Sequence, residues 1–206
     1  QPPFLLDGGP GFRSETANVL QLGYRGQPLP ALNLSATLFH GDYDHLHTQE
    51  LAPSRTSIFF GNGMRGRVSG LEAWGMVQAA PWLRLHGGFT LLRPRLSLKP
   101  GSADTGDSVA ATEGAMPRQT WQLRAAFNLP REGELDLMLR HVGALTAPDV
   151  AAYTAVDLRL AYPLSPNADI ALTARNLSGG HGEFTAMQTR TEFGRDVQLQ
   201  LRMRWP

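Results

Sequence analysis

The sequence predicts an all-β protein: an antiparallel transmembrane β-barrel segment of about nine meander strands. Two patterns carry this prediction. Apolar and polar residues alternate along most of the chain, and the links between the alternating stretches are alternately short and long. Successive side chains of a strand point to opposite faces, so each stretch has one apolar and one polar face. Alternating short turns and long loops are typical of barrels that span an outer membrane.

The predicted strands come close to the length that crosses a bilayer when tilted, about 9–11 residues. In chain order they are residues 20–24, 32–38, 65–78, 83–91, 121–128, 135–140, 154–162, 170–175 and 197–205. Residues 65–78 show the weakest alternation. One face is predicted to point outward to lipid, with Leu22, Leu34, Leu85, Leu123, Leu137, Leu158, Leu172 and Leu199 on it. The other is predicted to point to the lumen, with Arg84, Arg124, Arg140, Arg159 and Arg202 on it.

The connections divide into two classes. The short ones, predicted as periplasmic turns, are residues 26–31, 79–81, 130–133 and 163–169. The long ones, predicted as extracellular loops, are residues 44–63, 93–117, 143–152 and 176–195, and the segment 93–118 is expected to be a mobile loop. The aromatic residues Tyr24, Trp82, Tyr162 and Trp205 all fall at the short-turn end. Amphipathic rings at one end are typical of the aromatic girdle at a membrane interface.

Composition excludes several classes of function. The net charge is +1 and Lys99 is the only lysine, so no basic surface for nucleic acid is predicted. The chain has no cysteine, which excludes disulfides, thiolate metal sites and cysteine nucleophiles. No apolar stretch approaches the roughly 18 residues of a membrane helix, and the first residues do not form a signal peptide. No catalytic constellation is found, so no enzyme activity and no cofactor are predicted.

Several motifs together resemble the TonB-dependent outer-membrane receptor family. They are Phe12-Arg13-Ser14-Glu15 before Leu20-Gln21-Leu22-Gly23-Tyr24-Arg25, then Leu38-Phe39-His40-Gly41-Asp42-Tyr43-Asp44, Gly66-Arg67-Val68-Ser69-Gly70-Leu71-Glu72 and Arg175-Asn176-Leu177. The last strand, with Trp205, is similar to the terminal strand of these receptors, although Pro206 follows the aromatic residue. The resemblance identifies Trp205 as part of an assembly signal.

The resemblance implies a barrel of about 22 strands with a plugged lumen. Residues 1–206 would be its C-terminal portion, without the plug domain. The implied function is import of a scarce nutrient, such as a ferric siderophore, haem or a cobalamin-like chelate, across the outer membrane of a Gram-negative cell. Its partners would be outer-membrane lipid, the chelate at the extracellular loops, and TonB through the missing N-terminal part. The first strand, 16–25, and the last, 196–205, would then lie at opposite edges of an open sheet.

Candidate ligand-binding residues are predicted at the extracellular rim. They are His40, Asp42, Asp44, His45, His47 and, in a second segment, His181. Imidazoles and carboxylates in this pattern also suit a transition metal, although a full ligand set is not visible. Three other functions stay open on the sequence alone: a passive porin, an outer-membrane barrel enzyme, and a soluble β-sandwich binding module.

Overall fold

The computed structural model describes residues 5–9, 11–186 and 189–205. Its elements, in chain order, are β1 (Leu5–Asp7), β2 (Thr16–Leu29), β3 (Leu32–Leu51), β4 (Ser57–Ala80), β5 (Leu83–Leu98), α1 (Ser108–Gly114), β6 (Gln119–Leu129), a 3-10 turn (Pro130–Glu132), β7 (Gly133–Val142), β8 (Leu145–Thr146), β9 (Asp149–Val150), β10 (Tyr153–Ser165), β11 (Ala168–Arg175), β12 (His181–Ala186), β13 (Thr189–Phe193) and β14 (Asp196–Met203). The residue Pro206, which the sequence analysis noted, lies outside the described residues.

Nine of the strands form one antiparallel sheet in which chain neighbours pair. The order is β2-β3-β4-β5-β6-β7-β10-β11-β14, and β1 adds a short parallel pairing to β4. The small hairpins β8–β9 and β12–β13 stand in the long connections. The predicted meander of about nine strands is therefore confirmed. So is the prediction that the first and last strands, β2 and β14, lie at opposite edges and leave the sheet open.

The strand register confirms that leucines and arginines occupy opposite faces. Leu137 pairs with Leu158, and two residues further along the same strands Leu160 pairs with Leu135 and with Leu172. On the alternate positions of these strands, Arg159 pairs with Asp136. Because side chains alternate between faces, the eight predicted leucines fall on one side, the leucine face, and Arg84, Arg124, Arg140, Arg159 and Arg202 on the other, the polar face.

The leucine face has no second layer over it in the part of the chain that the structure describes. Leu22 is 73% exposed and Leu199 is 68% exposed, and neither contacts a facing sheet. The soluble β-sandwich is therefore contradicted, since its apolar faces would be packed against each other. A sheet with this much uncovered apolar surface needs an apolar solvent or further protein to cover it.

The first of the long predicted loops proves to be mainly strand. Residues 44–63 were predicted as a loop, but β3 runs to Leu51 and β4 begins at Ser57. The weakest predicted strand, 65–78, lies inside β4, which is the longest at 24 residues. The prediction of a loop at residues 44–63 was wrong because this part of the hairpin has polar residues on both faces and glycines in β4. Its hydropathy therefore does not alternate as in the other strands.

The connection predicted as 93–117 also begins later than expected. β5 continues to Leu98, and the remaining residues contain α1, which has seven residues. The short links are confirmed as tight turns, with β2 and β3 separated only by Pro30 and Ala31. At this end Trp82 stacks on Phe127 of the leucine face, with 6.2 Å between ring centroids.

None of the helices that the structure describes is long and apolar enough to span a membrane.

Candidate functional site

The polar face carries a continuous set of ion pairs across three neighbouring strands. Arg124 on β6 donates to Asp136 on β7, with nitrogen–oxygen distances of 2.7 and 3.0 Å. Arg159 on β10 contacts Asp136 at 3.4 Å and Glu134 at 2.9 Å. The register places these side chains in adjacent rows, so the charges neutralise each other along the wall. The result is a hydrophilic wall, suited to a lumen filled by water or by polar protein surface.

Nearer the long loops, a second group of residues holds the β12–β13 hairpin against this wall. We call Arg140, Tyr153, His181 and Glu183 the hairpin clamp. Glu183 accepts hydrogen bonds from Arg140 Nη2 at 2.8 Å and from the Tyr153 hydroxyl at 3.0 Å, and its Oε1 lies 3.2 Å from His181 Nε2. The Tyr153 and His181 rings stack with 3.9 Å between centroids. The clamp therefore fixes an otherwise long connection over the polar face.

The carboxyl group of Glu183 is held in its ionised form by these partners. Burial alone would raise the pKa of Glu183, but hydrogen bonds from Arg140, His181 and Tyr153 outweigh this effect. The pKa of Glu183 is therefore lowered from its ordinary value. The hairpin is attached through a charge that persists across the physiological range of pH.

Asn176 forms the base of the same hairpin. Its φ of 52° lies in the left-handed region, which asparagine tolerates better than most residues. Its side-chain amide donates to the carbonyl oxygens of Phe193 at 2.6 Å and Gly194 at 3.3 Å, and its backbone N–H donates to Asp157 at 2.8 Å. The side chain is buried. Asn176 thereby closes the loop between β11 and β14, which explains its place at the end of β11.

A third anchor ties the 99–118 connection to the β3–β4 hairpin. Glu50, only 7% exposed, accepts hydrogen bonds from Thr48 at 2.6 Å, from the Ser102 hydroxyl at 2.7 Å and from the Ala103 N–H at 2.5 Å. A Cβ on Gly63 would collide with the Glu50 carboxylate, so a glycine is required there. The carboxylate of Glu50 therefore has three donors around it and holds the connection against the strands.

Asp104 orders the same connection from within. It accepts hydrogen bonds from the backbone N–H and hydroxyl of Ser108, at 2.8 and 2.7 Å, and from the Gln49 N–H at 3.1 Å. Burial alone would raise the pKa of Asp104, but these hydrogen bonds and one from Gly106 hold it below its ordinary value. The expectation of a mobile loop at 93–118 is corrected by these contacts, because the segment is fastened at several points.

The structure distributes the predicted ligand residues among separate ion pairs. His40 lies 3.8 Å from Asp42, which binds Arg67 at 2.9 Å. Asp44 contacts Lys99 at 2.5 Å and His45 at 3.8 Å, while the His47 side chain lies 3.3 Å from Glu15. His40 pairs with Ser69 and Asp42 with Arg67 on the outward positions that continue the leucine face.

The remaining predicted residue, His181, lies apart from the others, inside the hairpin clamp on the polar face. Within the described ranges, no three histidine, aspartate or glutamate side chains come close enough together to hold a metal ion. The role of all six residues in ligand binding stays a prediction.

Sequence reasoning did not predict the contacts made by Glu183, Tyr153, Glu50 and Asp104, each of which takes part in several hydrogen bonds. Arg140 had been placed on the polar face but not in a site. Glu183 is 43 residues from Arg140, and Glu50 is 52 residues from Ser102. The spacing of neighbouring residues in the sequence does not predict contacts over such distances along the chain. The only available signal was that acidic residues occur in loops opposite basic or hydroxyl residues on strand ends.

Comparison with known proteins identifies the family to which this fold belongs. The profile of the family described as TonB dependent receptor-like, beta-barrel, matches residues 1–177. A comparison with curated protein sequences gives no match. Among solved structures, the ferric-catecholate import receptor Fiu from E. coli K12, in its closed form, is 20% identical with a TM-score of 0.72, over 97% of this chain and 30% of that one.

Two further solved structures are similar. The FrpB iron transporter from Neisseria meningitidis (F3-3 variant) is 14% identical with a TM-score of 0.74, over 97% of this chain and 33% of that one. The siderophore receptor PiuA from Acinetobacter baumannii is 20% identical with a TM-score of 0.72, over 91% of this chain and 28% of that one. The chain spans about a third or less of the length of these structures, and at such identities the likeness shows the fold.

Proposed function

Since the chain belongs to the TonB-dependent receptor-like β-barrel family, we propose that it forms part of an outer-membrane receptor that imports a ferric chelate. The observation that carries the proposal is the division of one open sheet into two faces. The leucine face is uncovered, as a surface in contact with lipid would be, and the polar face carries ion pairs and fastened loops. Long loops at one end are suited to ligand capture outside the cell.

Residues 1–206 are proposed to be the C-terminal portion of the barrel, with the plug and the other strands supplied by the rest of the protein. Two features support this assignment. Nine strands are too few to close a barrel of about 22, and the two edge strands have no partner on their outer side among the described residues. Lipid cannot satisfy unpaired backbone groups, so these edges require further strands.

The proposed ligand is a ferric siderophore. The similar solved structures include a ferric-catecholate import receptor, a receptor bound to ferripyoverdine and a ferric yersiniabactin uptake receptor. In the proposed mechanism, the extracellular loops capture the chelate above the polar face. TonB, energised from the inner membrane, then acts on the plug to open a path. Haem and a cobalamin-like chelate are the alternative cargoes within the same mechanism.

Uptake measurements on the full-length protein test this function. Cells without other iron-chelate receptors would be supplied with radioactive iron as a catecholate, a pyoverdine or haem, and with labelled cobalamin in parallel. We expect accumulation of one ferric siderophore that stops when TonB is inactivated. Equal accumulation with and without TonB would contradict the proposal and favour the passive porin.

The predicted ligand residues are tested by affinity. We propose that His45 and His47, whose side chains are at least partly exposed, contact the chelate, so His45→Ala and His47→Ala should each weaken its binding by about tenfold, the value of one good hydrogen bond. His141→Ala is the matched control, because His141 stacks on Trp121 on the leucine face, at a centroid distance of 5.3 Å. Equal affinity in all three variants would remove these histidines from the proposed site.

A further inference from the structure

On β3, β4 and β5 the leucine face ends at one row of residues. Leu22, Leu38, Leu71 and Leu91 lie side by side across β2, β3, β4 and β5, each paired directly with the next. On β5 the apolar positions of this face run from Leu83 to Leu91. At about 3.3 Å per residue this is about 26 Å along the strand, and about 20 Å in height for a strand tilted by about 40°. That height fits the apolar band of a membrane barrel.

Beyond the leucine row, the same outward positions become basic. On β3, β4 and β5 the next row contains His40, Ser69 and Arg93, and the row after it contains Asp42, Arg67 and Arg95. On β2 the first of these rows still holds an apolar residue, Leu20. One further pair joins Arg65 to Ser97. We call Arg65, Arg67, Arg93 and Arg95 the arginine patch. All four are exposed, and they occupy two neighbouring strands on the side of the sheet that also carries the leucines.

The arginine patch is short of negative charge. Arg67 and Arg95 are direct cross-strand partners, an arrangement that repulsion makes unfavourable. Asp42 binds Arg67 with a distance of 2.9 Å from its carboxylate to Nε. Among the residues that the structure describes, Arg65, Arg93 and Arg95 form no ion pair, which leaves a surplus of three positive charges. An anion seated between the guanidinium groups would relieve the repulsion.

The lower part of the patch is at the height of the headgroup layer. Arg93 lies two residues and Arg95 four residues beyond the leucine row, about 7 and 13 Å along the strand. With the same tilt these distances become about 5 and 10 Å above the apolar band. The polar layer of a bilayer extends about 5–8 Å beyond each side of its hydrocarbon core. Arg93 is therefore at the depth where lipid phosphates lie, and the long side chains of Arg67 and Arg95 can extend into this layer from just above it. Arg65, which pairs with Ser97, begins higher, about 15 Å above the apolar band.

We infer that the arginine patch is a binding site for the phosphate groups of lipid headgroups in the outer leaflet. The inference rests on the proposed function, which places the leucine face in the membrane. An open cavity of about 270 Å³ is lined by His40, Arg67, Ser69, Arg93 and Arg95, and adjoins a second one at Arg65. Guanidinium groups bind phosphate through two parallel hydrogen bonds, which lysine cannot do, and all four basic residues of the patch are arginines.

The test measures lipid retention by the full-length protein, purified in a neutral detergent. Mixed micelles would carry either phosphatidic acid, a lipid with a phosphate monoester, or phosphatidylcholine, which has no net charge. The variant is Arg93→Gln with Arg95→Gln. The matched control is Arg84→Gln with Arg202→Gln, which removes the same charge from exposed arginines of the polar face. Folding of each variant is checked by its heat-dependent mobility on gels.

We expect the wild type to retain phosphatidic acid in preference to phosphatidylcholine. The Arg93/Arg95 variant should bind phosphatidic acid roughly 25-fold more weakly, since each basic side chain near an anionic surface contributes a factor of about five. The control should bind like the wild type. Equal weakening in both variants, or displacement of the lipid by inorganic phosphate at the same concentration, would overturn the inference.

Two further measurements on the full-length protein, insertion into vesicles and chelate import by cells, separate this inference from the proposed function. A protein that fails to insert into vesicles of either lipid would overturn both. A protein that inserts and imports its chelate, but does not distinguish the two lipids, would overturn the phosphate site alone.

Discussion

Glu183 fastens the β12–β13 hairpin to the polar face through Arg140 and Tyr153. Its pKa is lowered by the hairpin clamp, so its contribution to docking is complete at neutral pH. For a carboxyl group with a depressed pKa, that contribution is lost as the pH falls from the ordinary glutamate range, near 4, through the lowered value. The hairpin should therefore stay docked down to mildly acidic pH and loosen below it.

Hydrogen exchange of the β12–β13 backbone, followed as a function of pH, measures this loosening. Once the intrinsic exchange rates are corrected for pH, protection in the wild type should fall only below about pH 4. Glu183→Gln should show lower protection at neutral pH and little further change on acidification. Full protection in Glu183→Gln at pH 7 would show that the carboxylate does not hold the hairpin.

Asn176 allows the backbone and side-chain contributions to be separated. Asn176→Gly loses the side-chain hydrogen bonds to Phe193 and Gly194 but tolerates the left-handed φ. Asn176→Ala loses the same hydrogen bonds and in addition disfavours the left-handed φ. We expect the alanine variant to be less stable than the glycine variant by about 1 kcal/mol, the cost of a left-handed alanine. Denaturant unfolding of the full-length protein gives the difference, and equal stability of the two would show that φ is unimportant here.

At this scale the sequence predicted which face each residue occupies, but not which residues meet. Arg140 and Arg159 were placed on the polar face correctly because alternation fixes facing. Their partners differ in distance along the chain. Asp136 is on the neighbouring strand, while Glu183 comes from a loop 43 residues away. Such contacts depend on how a loop folds back over the sheet, and the spacing of residues along the sequence does not predict that fold.

Among the elements, the terminal strand has a role that can be tested through Trp205. This side chain is 82% exposed, just beyond β14 and on the alternation of the leucine face. We expect Trp205→Ser to reduce the amount of folded receptor in the outer membrane severalfold, because the alternating terminal strand resembles the segment that the assembly machinery recognises. Folded protein is measured by heat-dependent gel mobility.

A matched control separates assembly from general membrane anchoring. Trp82→Ser removes another exposed tryptophan from the short-turn end, where it stacks on Phe127. It should leave the folded amount near that of the wild type. An equal loss in both variants would mean that Trp205 acts only as an interfacial anchor, and an unchanged Trp205→Ser protein would exclude the assembly role.

The β3–β4 hairpin shows where element prediction from sequence ends. Inside the apolar band, Leu32, Leu34 and Leu38 alternate with polar residues because one face meets lipid and the other does not. Beyond the band, polar residues and glycines occur on both faces of β3 and β4, apolar residues such as Phe59 and Phe60 occupy successive positions, and the alternation disappears. The strands continue there because backbone pairing between them does not require hydropathy contrast.

For the whole molecule, the open edges determine how this chain behaves alone. β2 and β14 each have one partner in the sheet, and their residues are almost all exposed. The chain expressed alone in detergent should therefore aggregate and show no heat-dependent mobility shift, whereas the full-length protein should show one. A monodisperse, shifted band from residues 1–206 alone would mean that the chain closes into a small barrel.

The strands also differ greatly in length from one side of the sheet to the other. β4 has 24 residues, about 13 more than a tilted crossing needs, so it reaches about 30 Å further, while β11 and β14 have eight each. The short-turn ends are level, so the difference appears entirely at the opposite rim. This portion of the wall is consequently high over β3 and β4 and low over β10, β11 and β14. If the leucine face lies in the membrane as proposed, the β3–β4 hairpin projects outward as a tall wall of paired strands, whereas over β11 and β14 only the β12–β13 hairpin rises above the rim.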